Sequence, residues 1–170
     1  MKHTLVLVAT MLTLMGCQST NSASINANPG KLTELTVRID NVQNTDGKLL
    51  VLLHDNSESY YADDNVKKDG ARYFAMKAVV PQIPMTLVQF KDIPAGKYAV
   101  SVVHDEDDDG KLDRMVFPFL GMPSEPYALS NNTYNTFSKG DFEAALVTVD
   151  APQSTVTLQL ATHLSKVTGL

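Results

Sequence analysis

The chain has 170 residues and a formal charge of −5, with 19 Asp and Glu against 14 Lys and Arg, enough length for one domain with a real core. The acidic balance excludes the basic face that nucleic acid requires and electrostatic docking on anionic lipid. A single cysteine excludes an internal disulfide, so stability must come from the core or from a bound cation.

Residues 1–16 read as a leader, not as part of a fold. Met1-Lys2-His3 is a short basic start, Thr4 to Leu14 is apolar and broken only by threonines, and Leu14-Met15-Gly16-Cys17 follows at once. This is the layout of a secretory signal, and the apolar run is too short for a membrane span, which needs roughly 20 residues. Cysteine directly after Leu-Met-Gly resembles the lipobox of bacterial lipoproteins, which implies cleavage before Cys17, lipidation of its thiol and acylation of its new amine. An ordinary secretory signal ending near a cysteine and an uncleaved core helix are the alternatives. Cleavage leaves 170 − 16 = 154 residues, held to the membrane by acyl chains, because two or more suffice for stable anchoring. In a diderm host, Gln18 lacks the aspartate that signals inner-membrane retention, which favours the outer membrane facing the periplasm. Residues 17–31 are rich in Ser, Asn, Ala and Thr and read as a lipidated tether. Residues 32–170 form the domain.

From Leu32 the pattern is β. Leu35, Val37 and Ile39 alternate with Thr36, Arg38 and Asp40, the period-2 signature of a half-buried strand. Asp46-Gly47 marks a turn. Lys48 to His54 is a continuous apolar run and predicts a central strand. Asp55 to Gly70 predicts a long loop with about one helical turn. Strands are expected at Tyr73 to Val80, Met85 to Phe90 and Tyr98 to His104, with a tight turn at Ile93-Pro94-Ala95-Gly96. Asp105 to Gly140 is an irregular excursion whose Pro118, Pro123 and Pro126 exclude a central strand. Asp141 is the expected N-cap of a helical turn reaching Ala145. Leu146 to Val149 and Thr155 to Leu160 close the chain as strands. Seven or so short strands predict an all-β, antiparallel sandwich.

Two strand ends echo one another: Leu50 to Asp55 and Val100 to Asp105 both run from apolar residues into His-Asp. Either they meet at one edge of the sandwich, or each is a polar exit into solvent.

The strongest chemical signal is Asp105 to Asp113, with six acids in nine residues. It matches D-x-D-x-D-G, the first half of an EF-hand calcium loop. Asp105, Asp107 and Asp109 present oxygens, Gly110 permits the turn, the Lys111 carbonyl offers a further ligand, Leu112 anchors the loop and Asp113 acts directly or through water. Calcium wants six to eight such oxygens, and a divalent cation would offset carboxylate repulsion of about 1 kcal/mol per close pair at water's dielectric. Relief of that repulsion also predicts that removing acids stabilises the calcium-free domain. The alternative is a solvated acidic turn. Val116 stands where an EF-hand has its bidentate glutamate, so ligands must come from elsewhere, with Asp55, Asn131 and Asn132 as candidates.

His104 to Asp113, Phe119-Leu120-Gly121-Met122-Pro123, Glu125-Pro126-Tyr127, Ser130-Asn131-Asn132 and Asp141-Phe142-Glu143-Ala144-Ala145, with Phe90 to Val100 upstream, resemble the signature of the domain of unknown function 2141 family. The resemblance covers about Leu35 to Leu160. It implies a secreted immunoglobulin-like or prealbumin-like sandwich and supplies no activity, because fold does not fix function. Two departures stand out: aspartates where the family often has asparagines, and an insertion at residues 114–118 that would shift Asp113 or the Phe-Leu-Gly turn.

The chain has no nucleophile elbow, zincin helix or phosphate-cradling loop. The leading expectation is therefore a membrane-anchored, calcium-binding, non-enzymatic envelope domain with a structural or interaction role and no organic cofactor. A metal-dependent hydrolase using His54, His104 and the acidic loop is the alternative. A surface module that stacks Tyr60, Tyr61, Tyr73, Tyr127 or Tyr134 on glycans, or binds a protein partner, is the third.

Overall fold

The computed structural model describes residues 28–62 and 73–169. The leader, Cys17, most of the expected tether and part of the long loop before Tyr73 lie outside the described residues. No helix among the described residues is long and apolar enough to cross a membrane.

Among the described residues there are seven strands, the number though not the exact set that the sequence predicts: β1 (Asn28–Asp40), β2 (Lys48–His54), β3 (Ala75–Val79), β4 (Met85–Asp105), β5 (Tyr127–Leu129), β6 (Leu146–Val149) and β7 (Gln153–Gln159). The described residues also hold three short α-helices, α1 (Ser57–Tyr61), α2 (Phe142–Ala145) and α3 (His163–Thr168), and a 3-10 turn at Ser130–Asn132. β1 takes in residues 28–31 of the stretch read as tether, pairing Asn28 with Ala95.

The main departure is β4. The sequence suggests two strands separated by a tight turn at residues 93–96, but the structure runs one strand of 21 residues through it. Its first part pairs with β1, from Asp40↔Met85 to Leu35↔Phe90. Its last part pairs with β2, from His54↔Ala99 to Lys48↔Asp105. Between them the register shifts and Asp92 takes a left-handed φ of +55°. A bulge bends and twists a strand, and it is also where a proline that cannot donate to the ladder is tolerated. The Tyr98 hydroxyl donates to the Pro94 carbonyl at 2.8 Å across the bend. β4 thus passes from one layer, shared with β1 and β7, into a second layer with β3, β2, β5 and β6.

The sandwich is not wholly antiparallel. β1 and β7 run parallel, from Glu34↔Gln153 to Asp40↔Gln159. Every other ladder among the described residues is antiparallel. Alternation says which face a residue takes and nothing about strand direction, so the pattern alone does not reveal a parallel pair.

Leu35, Val37 and Ile39 are fully buried between the layers with Leu49, Val51, Leu53, Val100 and Val102. β2 is apolar from Leu49 to Leu53, as suits a layer covered on both sides. Leu50 and Leu52 pack outward with Val103 and the half-buried Leu112, beneath the long excursion. That excursion hides β5, three buried residues between Pro126 and Ser130, too short to carry a periodic signal.

Caps set the helix ends. The Asp141 carboxylate accepts from Ala144 N at 2.9 Å, as predicted, and Asn56 accepts from Ser59 N at 2.8 Å to start α1. α3 is unpredicted. Its buried His163 donates from Nε2 to the Thr136 carbonyl at 3.0 Å and accepts the Tyr127 hydroxyl on Nδ1 at 2.9 Å. One imidazole therefore ties the C-terminal helix, β5 and the excursion together.

Candidate cation-binding loop

The acidic loop leaves the end of β4 at Asp105, whose side chain is fully buried. Its Oδ1 accepts from Asp109 N at 3.1 Å and its Oδ2 from Gly110 N at 3.0 Å. Asp107 Oδ1 also accepts from Asp109 N, at 3.2 Å. Short aspartate side chains bonding the backbone ahead of them curl the chain in this way. Gly110, with φ of +80°, takes the turn expected of it.

Glu125 supplies what sequence reasoning missed. Its Oε1 accepts from Glu106 N at 2.9 Å and its Oε2 from Asp113 N at 3.0 Å. One buried carboxylate therefore clamps both ends of the loop. Residues 114–118 lie in the connection that carries the chain to Glu125. Met115 N donates to the Met122 carbonyl, and Ser124 N to that of Asp113. The chain folds back on itself and returns Glu125 beside Asp113, with Val116 and Phe117 exposed at the tip. The available signal was Glu125 itself, an acid set within the Pro-x-Glu-x-Tyr stretch.

One oxygen each from Asp105, Asp107 and Glu125 lie within 4.8 Å of one another. Burial, followed after the two backbone hydrogen bonds by the charges of Asp113 and Asp105, sets the balance that pushes the Glu125 carboxyl above its ordinary range. The other acids are turned to other tasks. Asp108 pairs with Lys48 at 2.7 Å, Asp109 with Lys111 at 3.0 Å, and Glu106 accepts from Asn44 at 2.7 Å.

Three expected ligands lie elsewhere. β2 and β4 are antiparallel, so His54 pairs with Ala99 while His104 pairs with Leu49. The two His-Asp ends are therefore at opposite ends of the ladder, five residues or roughly 17 Å apart. Asp55, which accepts from Asn56, is at the far end from the acidic loop. Asn131 and Asn132 are also remote. They follow β5, which runs away from the loop, and Asn131 donates to the Ala144 and Leu146 carbonyls. The same topology removes the site that would join His54 to His104. Neither histidine is a solvent exit, for both are buried. His104 Nε2 donates to the Asp46 carbonyl at 2.8 Å and braces the Asp46-Gly47 turn against the loop. Of the tyrosines considered for stacking, Tyr60 and Tyr127 are buried, while Tyr61 and Tyr134 are exposed.

A family model described as an uncharacterized protein conserved in bacteria (DUF2141) matches residues 37–157. The chain belongs to this family. In this DUF2141 protein the matched span holds the acidic loop, residues 114–118, Glu125 and α2. No curated protein and no solved structure matches the chain.

Gly47 shows how closely this DUF2141 domain packs its turn on the loop. Its φ is +53°, and a Cβ there would lie 1.8 Å from the Asp105 carbonyl oxygen. Gly47→Ala is expected to cost more than about 2 kcal/mol, adding a backbone clash to left-handed strain. Gly121→Ala is the control, with φ of +79° and open space, and should cost about 1 kcal/mol. Denaturant midpoints of the two variants measure the difference. Equal midpoints would show that the turn yields freely.

Proposed function

We propose that the protein is a lipid-anchored, non-enzymatic envelope domain that binds calcium through its acidic loop, on an immunoglobulin-like or prealbumin-like sandwich. The observation that carries this reading is the convergence of Asp105, Asp107 and Glu125 on one point, within a backbone already curled by two of those carboxylates. Asp113 stands next to Glu125, and the Lys111 carbonyl and water would complete the oxygen shell a hard cation requires. Asp109 would join by releasing Lys111. Calcium would also offset the cost of holding Glu125 ionised in a buried, acidic setting. A titration of the chain from Gln18 onward by calorimetry tests the site: calcium heat that Asp107→Asn strongly reduces supports it, and silence at millimolar calcium refutes it.

The anchor rests on Leu14-Met15-Gly16-Cys17. Cys17→Ser is expected to move the protein out of the membrane fraction or to leave its precursor uncut. Retention of a fully processed mutant in the membrane would refute lipidation. In a diderm host, separation of the two membranes on a density gradient should place the protein in the outer one.

A further inference from the structure

On the outer face of the second layer lies a cavity of about 310 Å³ whose described lining includes no carboxylate. Protein interiors rarely leave voids much larger than a water molecule, and this volume falls at the lower end of the range of ligand pockets. Its floor is Leu52 and His54 of β2 with Ser101 and Val103 of β4, and Leu112 and Met122 from the excursion stand over it.

The floor carries a built polar group. His54 Nε2 is 2.8 Å from Ser101 Oγ, and Nδ1 is 3.2 Å from Ser59 Oγ. The Ser59 hydroxyl donates to the Asn56 carbonyl at 3.1 Å, so it accepts from Nδ1–H. Ser101 therefore donates to Nε2, so this pair is satisfied within the floor. Both charged side chains among the described lining residues are cations, Arg114 and Lys139. Lys139 Nζ holds the Tyr60 carbonyl at 2.7 Å and lies 4.5 Å from the centre of the Tyr60 ring. It is near enough to His54 to disfavour protonation of the imidazole, second only to burial. A second positive charge is unwelcome in this cavity, and a negative one is favoured.

We propose that the cavity binds a small, mainly apolar carboxylate, with the chemistry of a medium-chain fatty acid: its chain against Leu52, Val103 and Met122, its head at the Lys139 side. The cavity shares Leu112 with the cation loop, but none of the loop's carboxylates lines it.

The test uses the full chain in the membranes of the cells that make it. A decanoate analogue carrying a diazirine and an alkyne is photolysed there, and the labelled peptides are mapped by mass spectrometry. Label on peptides containing Leu52, Val103 or Met122, displaced by decanoate but not by decylamine or decanol, is the expected result. Val103→Trp should abolish that label by filling the cavity, with trypsin resistance in the same membranes reporting that the domain is folded. Lys139→Gln, which leaves the cavity open, should raise the decanoate needed for displacement about tenfold, the effect of one charge-assisted hydrogen bond. Label confined to surface peptides, equal displacement by decylamine or decanol, or persistent labelling of folded Val103→Trp overturns the proposal.

Discussion

Calcium is expected to raise the melting temperature of the domain by about 5–10 °C. A ligand that binds only the folded state stabilises it by RT ln(1 + [L]/Kd), about 2.7 kcal/mol at one hundred times Kd. For a domain of this size each kcal/mol shifts the midpoint by roughly 2–4 °C. Extracellular modules bind calcium with Kd of about 10⁻⁴ to 10⁻³ M, so calcium should be tested up to tens of millimolar. Magnesium should do less, because it demands tight octahedral geometry and keeps its waters. Asp107 is exposed and makes one weak loop bond. Asp107→Asn should therefore leave the calcium-free melt nearly unchanged and remove most of the response. Asp105 and Glu125 behave differently. Charge repulsion alone predicts that removing an acid stabilises the calcium-free domain. Yet Asp105→Ala would strand the Asp109 and Gly110 amides, and Glu125→Ala those of Glu106 and Asp113. Two unmade buried hydrogen bonds cost about 1–3 kcal/mol each, enough to offset the repulsion relieved, which reaches about 4 kcal/mol for a close pair at a protein's effective dielectric. Differential scanning calorimetry with and without calcium measures all of this. A wild-type curve that calcium leaves unmoved reduces the loop to charged surface.

Acid should destabilise the domain through His54. Burial, aided by the Lys139 charge, lowers its pKa from 6.5 to about 3. The unfolded chain then takes up a proton below pH 6.5 that the folded chain refuses, so stability falls as pH drops through the window from about 6.5 to about 3. The loss is roughly 2 kcal/mol at pH 5 and at most about 4–5 kcal/mol at pH 3, from 1.36 kcal/mol per unit. Glu125 opposes it: its raised pKa makes the folded state the tighter proton binder, so its protonation stabilises as pH falls. His54→Gln separates the two. Its stability at pH 7 should drop, while the decline between pH 7 and pH 5 should shrink by most of the His54 share. Urea midpoints at the two pH values decide this, and an unchanged decline in the variant would show that His54 does not govern acid sensitivity.

The local grammar of the fold is readable in the chain. The alternation from Leu35 to Ile39 places these residues in the core, because a half-buried strand has only one way to hide its apolar set. Asp141 announces α2, since a short acceptor before a helix meets its free amides. The D-x-D-x-D-G run announces a curled acidic loop, because those bonds are local.

Whatever depends on distant pairing was decided by tertiary structure. That β1 and β7 run parallel, that β4 crosses both layers, and that three residues after Pro126 form a strand follow from ladders between segments far apart in sequence. Antiparallel pairing of β2 with β4 separates the two His-Asp ends that look equivalent on paper. It leaves His104 bracing a turn and His54 on the floor of a cavity. The return of the chain after residues 114–118 brings Glu125 to the loop, where Asp55, Asn131 and Asn132 do not reach. Residue types announce a cluster of carboxylates. Which distant carboxylate joins it is set by backbone hydrogen bonds between residues 12 and 19 positions apart, and no local pattern encodes those.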